Sequence, residues 1–306
     1  MRHAADRRLF LRALSSVPVL LAPWTWAEDR SAHRKPVPGG SGETLPVIGM
    51  GTSETFDVAL DDGRLAELGD VLQRFFALGG EVIDSSPMYG NAESVVGALL
   101  PRAGDDHRRF IATKVWTDGR EAGIAQMNAS MRKLATERID LMQIHNLRDW
   151  QAHLPTLRAW KEEGRIRYLG ITTSHGRDHE ALMQIMKTEP LDFVQFSYSL
   201  GNRAVEADLL PLAADRGIAT LVNRPFERGG LFARIRDKPL PGWAADIDCT
   251  SWGQVFLKFV VSHPAVTCAI PATSRLAHMV DNMAAGFGRM PDASMRKSMI
   301  TYFESL

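Results

Sequence analysis

The sequence predicts an α/β chain closed into a (β/α)8 TIM barrel, and three observations lead there. Short apolar runs alternate with longer segments whose apolar residues recur at three- and four-residue steps. Eight such runs are present, at 47–50, 81–84, 110–114, 141–145, 168–171, 193–196, 218–222 and 266–270, which suits a closed parallel barrel. The third observation is negative. Gly49-Met50-Gly51 is followed by Thr52-Ser53-Glu54, so the first run lacks the Gly-x-Gly-x-x-Gly of an open dinucleotide-binding sheet.

The first long helix is predicted over 64–78, where Leu65, Leu68, Val71, Leu72 and Phe75 line one face. Gly79-Gly80 stops it, since glycine enters the left-handed conformation that releases a last turn. Similar patterns predict helices at 124–134, 177–187, 205–214, 252–261, 276–285 and 294–303. Residues 226–252 read as a long covering loop after the seventh strand.

Composition excludes several classes. Lys+Arg and Asp+Glu balance at 36 each, which argues against a nucleic-acid binder that relies on a broad positive field. Two cysteines cannot make a disulfide framework or a paired-cysteine metal site. Cys268 reads as a small buried hydrophobe, and Cys249 as a loop residue open to exposure. Ser130-Met131-Arg132-Lys133 and Ser294-Met295-Arg296-Lys297 match a Ser-x-x-Lys spacing, but neither companion motif of that chemistry is present, so both read as exposed helix faces. No metal site is expected.

The amino terminus differs from the rest. Arg7-Arg8-Leu9-Phe10-Leu11-Arg12 precedes a weakly apolar stretch interrupted by Pro18 and Pro23. It resembles a twin-arginine export signal, with Asp6 standing where Ser or Thr is usual. The expected organisation is a signal at 1–27, a Pro/Gly-rich linker at 28–42 and one barrel domain at 43–306. The implied destination is the periplasm, with the export machinery as a partner; the alternative is a basic tail on a cytoplasmic protein. Stable membrane insertion is not expected, because the apolar stretch falls short of the ~20 residues a span needs. Loss of residues 1–27 would leave 32 basic and 35 acidic residues.

In a barrel of this type the chemistry sits at the carboxyl ends of the strands. Asp84 closes the second run, Lys114 the third and His145 the fourth, while Tyr89 follows Asp84 by five residues. A free phenol, with a pKa of ~10, is a poor proton donor near neutrality. Lys114 is expected to lower that pKa, Asp84 to hold the ammonium, and His145 to donate to a carbonyl oxygen. The ordered set resembles the aldo-keto reductases over nearly the whole chain after about residue 40. That resemblance implies reduction of an aldehyde or ketone by a nicotinamide, with Tyr89 as general acid.

The resemblance also implies cofactor positions. These are Gly51, Thr52 and Asp84 near the first two strands, Thr172, Thr173 and Gln195 for the carboxamide, and Asn223, Arg224, Pro225, Phe226 and Arg228 after the seventh strand, where Arg224 or Arg228 would approach the pyrophosphate. Thr173 stands where Asn is common, and Asn223 where many members place a stacking aromatic ring. Thr273, Ser274, Arg275, His278, Asp281 and Asn282 correspond to the adenosine-phosphate segment. NADP(H) is favoured and NAD(H) is admitted. Met88, Trp116 and His175 are expected to line the substrate pocket. Two other classes stay open: a tightly held nucleotide used in an internal redox cycle on a sugar-like substrate, and a catalytically weak cofactor-binding regulatory subunit.

Overall fold

A computed structural model describes residues 31–39, 42–104 and 108–306; the expected signal at 1–27 lies outside them. The described chain starts with an antiparallel hairpin of β1 (Arg34–Pro36) and β2 (Thr44–Pro46). Part of the expected linker is therefore strand. Val37 and Leu45 turn inward and join the apolar cluster inside the barrel.

Eight parallel strands follow in chain order around the sheet: β3 (Met50–Gly51), β4 (Val82–Asp84), β5 (Phe110–Val115), β6 (Ile139–Ile144), β7 (Ile166–Thr172), β8 (Phe193–Ser197), β9 (Ala219–Asn223) and β10 (Cys268–Ala269). Bridges Ile48↔Ala269 and Gly51↔Ala272 bring the first strand against the last. The Gly49 and Gly51 amides donate across this seam to Ala269 and Pro271, at 2.8 and 3.1 Å. A Cβ on Gly51 would sit 2.8 Å from the Ile270 carbonyl oxygen, so closure needs glycine there. All eight predicted strands are present, although His145 lies one residue beyond the end of β6.

The helices are α1 (Arg64–Ala77), α2 (Ala92–Leu99), α3 (Arg120–Lys133), α4 (Trp150–Glu162), α5 (His179–Thr188), α6 (Leu209–Arg216), α7 (Gly230–Arg234), α8 (Trp252–Val261), α9 (Leu276–Ala284) and α10 (Ala293–Glu304). The five predicted apolar residues of α1 are buried together with Phe76, and Gly79 takes φ +82°. The segment predicted over 205–214 divides into a short turn, Ala204–Glu206, and α6. Helices α2, α4 and the short α7 escaped the pattern; α4 runs through Pro155, and a proline inside a helical stretch argues against one.

Strand alternation builds two interiors. Side chains two residues apart share a face, and Val82, Ala112, Leu141, Phe193 and Leu221 point into the barrel. Two residues further along stand Asp84, Lys114, Gln143, Gln195 and Asn223. At the amino end, rings of Phe110, Tyr168 and Phe193 pack with centroids 5.3 to 6.0 Å apart. Cys268 joins this interior, as expected. Cys249 does not stay exposed: it is buried just after the 310 turn Gly242–Ile247, its amide donating to the Ala244 carbonyl at 2.9 Å, and burial pushes its thiol up to about 12. Ser130 is likewise buried rather than on an exposed face. Among the described residues no helix is long and apolar enough to cross a membrane.

Candidate active site

Lys114 is fully buried at the carboxyl end of β5. A buried ammonium is tolerated only when paired, and its Nζ donates to Asp84 Oδ2 at 2.5 Å and to the Ser85 carbonyl at 2.6 Å. Asp84 Oδ1 accepts from Gln143 Nε2 and Gln195 Nε2, each at 3.0 Å. Burial alone would lower the Lys114 pKa, but Asp84 and Tyr89 outweigh it and hold the ammonium above its ordinary value.

Tyr89 sits on the loop between β4 and α2. Its amide donates to the Ser86 carbonyl at 3.0 Å, and Asn91 N donates to Asp57 Oδ1 at 2.8 Å. Gly90 between them has φ +58°, and a Cβ there would overlap the Asp57 carboxylate, so the turn that presents the phenol requires glycine. Lys114 Nζ lies 4.9 Å from the centroid of the Tyr89 ring. That ring meets the His145 imidazole edge-on, with centroids 5.8 Å apart and planes at 90°. The four predicted residues therefore converge.

One expectation is corrected here. Burial raises the Tyr89 pKa, and this outweighs the opposing pull of the Lys114 ammonium. The free protein holds a protonated phenol. The His145 pKa is pushed down to about 3, first by burial and then by Lys114, so its imidazole is neutral near pH 7.

These groups open onto a cavity of about 1130 Å³. Of the predicted positions, Gly51, Thr52, Asp84, Met88, Tyr89, His145, Thr172, Thr173, His175, Gln195, Asn223, Arg224, Pro225, Phe226, Arg228, Thr273, His278, Asp281 and Asn282 line it. Trp116 does not. It follows the last residue of β5, its backbone pairs with the Gln126 side chain, and the Arg148 guanidinium covers its ring at 4.8 Å. Ser274 and Arg275 also lie outside the wall, on the loop where Arg275 N donates to Thr273 Oγ1 at 3.1 Å.

Several lining groups are already committed within the protein. Thr52 Oγ1 bonds to the Asp84 carbonyl and Ser85 Oγ. Gln195 gives its Nε2 to Asp84 and accepts Asn223 Nδ2 at 3.2 Å. Asn223 also donates to the Thr173 carbonyl at 3.0 Å and accepts from Ser197 Oγ at 2.6 Å. Asp281 accepts from Ser251 Oγ and Gln254 Nε2 at 2.7 Å each, which ties the expected adenine contact to α8. Arg228 pairs with Glu54 across the rim instead of standing free for a phosphate.

Other groups are uncommitted. Thr173 Oγ1 is buried and without a partner, which calls for a hydrogen-bonding ligand. Arg224 faces the cavity with Arg177 and His175. Burial and the Arg177 charge lower its pKa, and no acid pairs with it among the described residues. Such a cationic wall beside an unpaired hydroxyl fits a phosphate-bearing cofactor that carries an amide.

Sequence reasoning missed Arg177, Gln143, Ser197 and Ser86, and named Phe232 and Trp252 only as part of the covering segment. Gln143 and Ser197 were within reach, since they stand two residues before His145 and two after Gln195 on inward faces. Phe232 and Trp252 come from the expected covering segment, where Phe232 packs on Phe226 and Phe256 at 5.1 and 5.5 Å.

Comparison with known proteins agrees with this geometry. A profile of the Aldo/keto reductase family matches residues 47–298. Methylglyoxal reductase YeaE of Escherichia coli (strain K12) is 31% identical over 255 residues, covering 79% of this chain and 85% of that protein. An NADH-specific methylglyoxal reductase of the same organism is 28% identical over 207 residues, covering 57% and 61%. An aldo/keto reductase from Klebsiella pneumoniae in complex with NADP and acetate superposes with a TM-score of 0.71 at 26% identity, covering 86% of this chain and 93% of that one. The chain belongs to the aldo/keto reductase family, and is an oxidoreductase acting on carbonyl groups.

Proposed function

We propose that this protein reduces an aldehyde or ketone to the alcohol with NADPH as the favoured cofactor and NADH as an admitted one, and that Tyr89 donates the proton. The observation that carries the reading is a protonated, partly buried phenol packed against the Lys114–Asp84 pair and the neutral His145 at one cavity end. When bound, the dihydronicotinamide supplies the hydride. His145 donates to the carbonyl oxygen and orients it. Tyr89 delivers its proton to that oxygen. Lys114 stabilises the phenolate left behind, and Asp84, braced by two glutamines, fixes the lysine. The cofactor residues we propose are Thr173 toward the carboxamide, Arg224 with Arg177 toward the pyrophosphate, and Thr273, His278 and Asn282 toward the adenosine end. Binding of NADP in a Klebsiella relative favours the phosphorylated cofactor, and the NADH-specific relative keeps NADH open.

Two relatives carry methylglyoxal in their names, which makes a small oxoaldehyde the first substrate to assay. Tyr89→Phe should slow NADPH oxidation by methylglyoxal ~10³-fold while nucleotide affinity, read by fluorescence titration, stays within a few-fold. Wild-type kcat in that variant sinks the assignment.

Residues 1–27 we propose as a twin-arginine signal that delivers the protein to the periplasm, on the strength of Arg7-Arg8 and the weakly apolar stretch behind them. Replacing both arginines by lysine should leave the protein in the cytosolic fraction. An unchanged distribution would count against export by this route.

A further inference from the structure

His145 is useful to a carbonyl only if the nitrogen facing the cavity carries a proton, and a neutral imidazole has one proton for two nitrogens. Nδ1 lies 3.0 Å from Ser86 Oγ, and both residues are buried. Nε2 has no partner among the described residues and belongs to a ring that lines the cavity.

The hydroxyl's other contact decides the direction of that bond. The Met88 amide donates to Ser86 Oγ at 3.3 Å, so one lone pair of the oxygen is occupied. Were Nδ1 protonated, it would take the second lone pair, and the hydroxyl proton would be left buried with no acceptor among the described residues. An unsatisfied buried donor is disfavoured. With Nδ1 bare, Ser86 receives from Met88, gives to Nδ1, and every group is satisfied.

We propose that Ser86 is a positioning residue whose hydroxyl donates to His145 Nδ1 and so keeps the imidazole proton on Nε2, aimed at the carbonyl. The inference deepens the proposed function and rests on its reading of His145 as the orienting donor. The depressed pKa of His145 agrees with it, because a ring that stays neutral must choose one nitrogen. Ser86 stands two residues after β4, where its carbonyl accepts the Tyr89 amide at 3.0 Å to open the turn, and His145 is the first residue after β6.

The test is a long-range proton–nitrogen spectrum of the full chain labelled with 15N-histidine, with the His145 signals identified by their loss in His145→Gln. At pH 7 the wild type should show a pyridine-type Nδ1 and a pyrrole-type Nε2. Ser86→Ala should mix the two tautomers and lower kcat for methylglyoxal about tenfold, with NADPH affinity unchanged. A wild-type proton on Nδ1 overturns the proposal. So does a Ser86→Ala protein that keeps the wild-type tautomer. The spectrum alone decides if that variant does not fold. Activity retained in Tyr89→Phe would defeat the proposed proton donor and leave this result standing, so the two failures are distinguishable.

Discussion

The two ends of the barrel are made by the same strands and do opposite work. At the amino end Phe110, Tyr168 and Phe193 fill the interior with rings, and Val37 and Leu45 of the hairpin close it. At the carboxyl end Asp84, Lys114, Gln143, Gln195 and Asn223 form a connected polar layer. On β4, β5, β6, β8 and β9 the change from apolar to polar takes two residues. Apolar rings need only volume and shape, so their end holds by exclusion of water. The polar end holds only while each group keeps its partner, because an orphaned buried charge costs more than its pairing gained.

The largest expected difference comes from Lys114→Met. It should lower kcat by ~10²-fold or more and cost ~3–5 kcal/mol of stability, because Asp84 would be left a buried carboxylate without its cation; urea denaturation and steady-state kinetics check both. Phe193→Ala, at the other end, should also cost ~3–5 kcal/mol, but with kcat of the folded enzyme unchanged. A fall in kcat there would show that the two ends are coupled.

Smallest per unit of pH, though spread over several units, is a slope in stability. His145 has a folded pKa of about 3 against 6.5 unfolded, so between those values the unfolded chain binds the extra proton. Stability then rises with pH across that window, by up to ~1.4 kcal/mol per unit, and is lost on acidification below 6.5. His145→Gln should flatten the slope of thermal stability between pH 6.5 and 3. An identical slope in the variant would place the acid sensitivity elsewhere.

The catalytic quartet was legible because its chemistry restricts both residue type and place: three of the four stand within one residue of the end of a strand whose apolar run is plain in the sequence. Trp116 was misread for a matching reason. Strand β5 ends at Val115, and beyond a strand end the two-residue alternation no longer says which way a side chain faces. The commitments of Gln195 and Asn223 to each other, and of Asp281 to α8, were out of reach. They depend on distances between strands and helices far apart in sequence. Cys249 likewise looked like an open loop residue because nothing local shows that the stretch after the 310 turn Gly242–Ile247 joins the apolar core. The direction of the Tyr89 shift was missed because burial, absent from a sequence, outweighs the neighbouring charge.

Lys35, at the centre of β1, gives its ammonium to the carbonyls of Val261, His263 and Val266 at 2.6 to 2.8 Å. Its neighbour His33 reaches Gly286 and Gly288. The first strand is thus latched by the last quarter of the chain, and these contacts span more than 220 positions. During synthesis Arg34 can reach Glu81 early, but the Lys35 and His33 latch cannot close until those later residues have left the ribosome, so the floor of the barrel is locked after its walls.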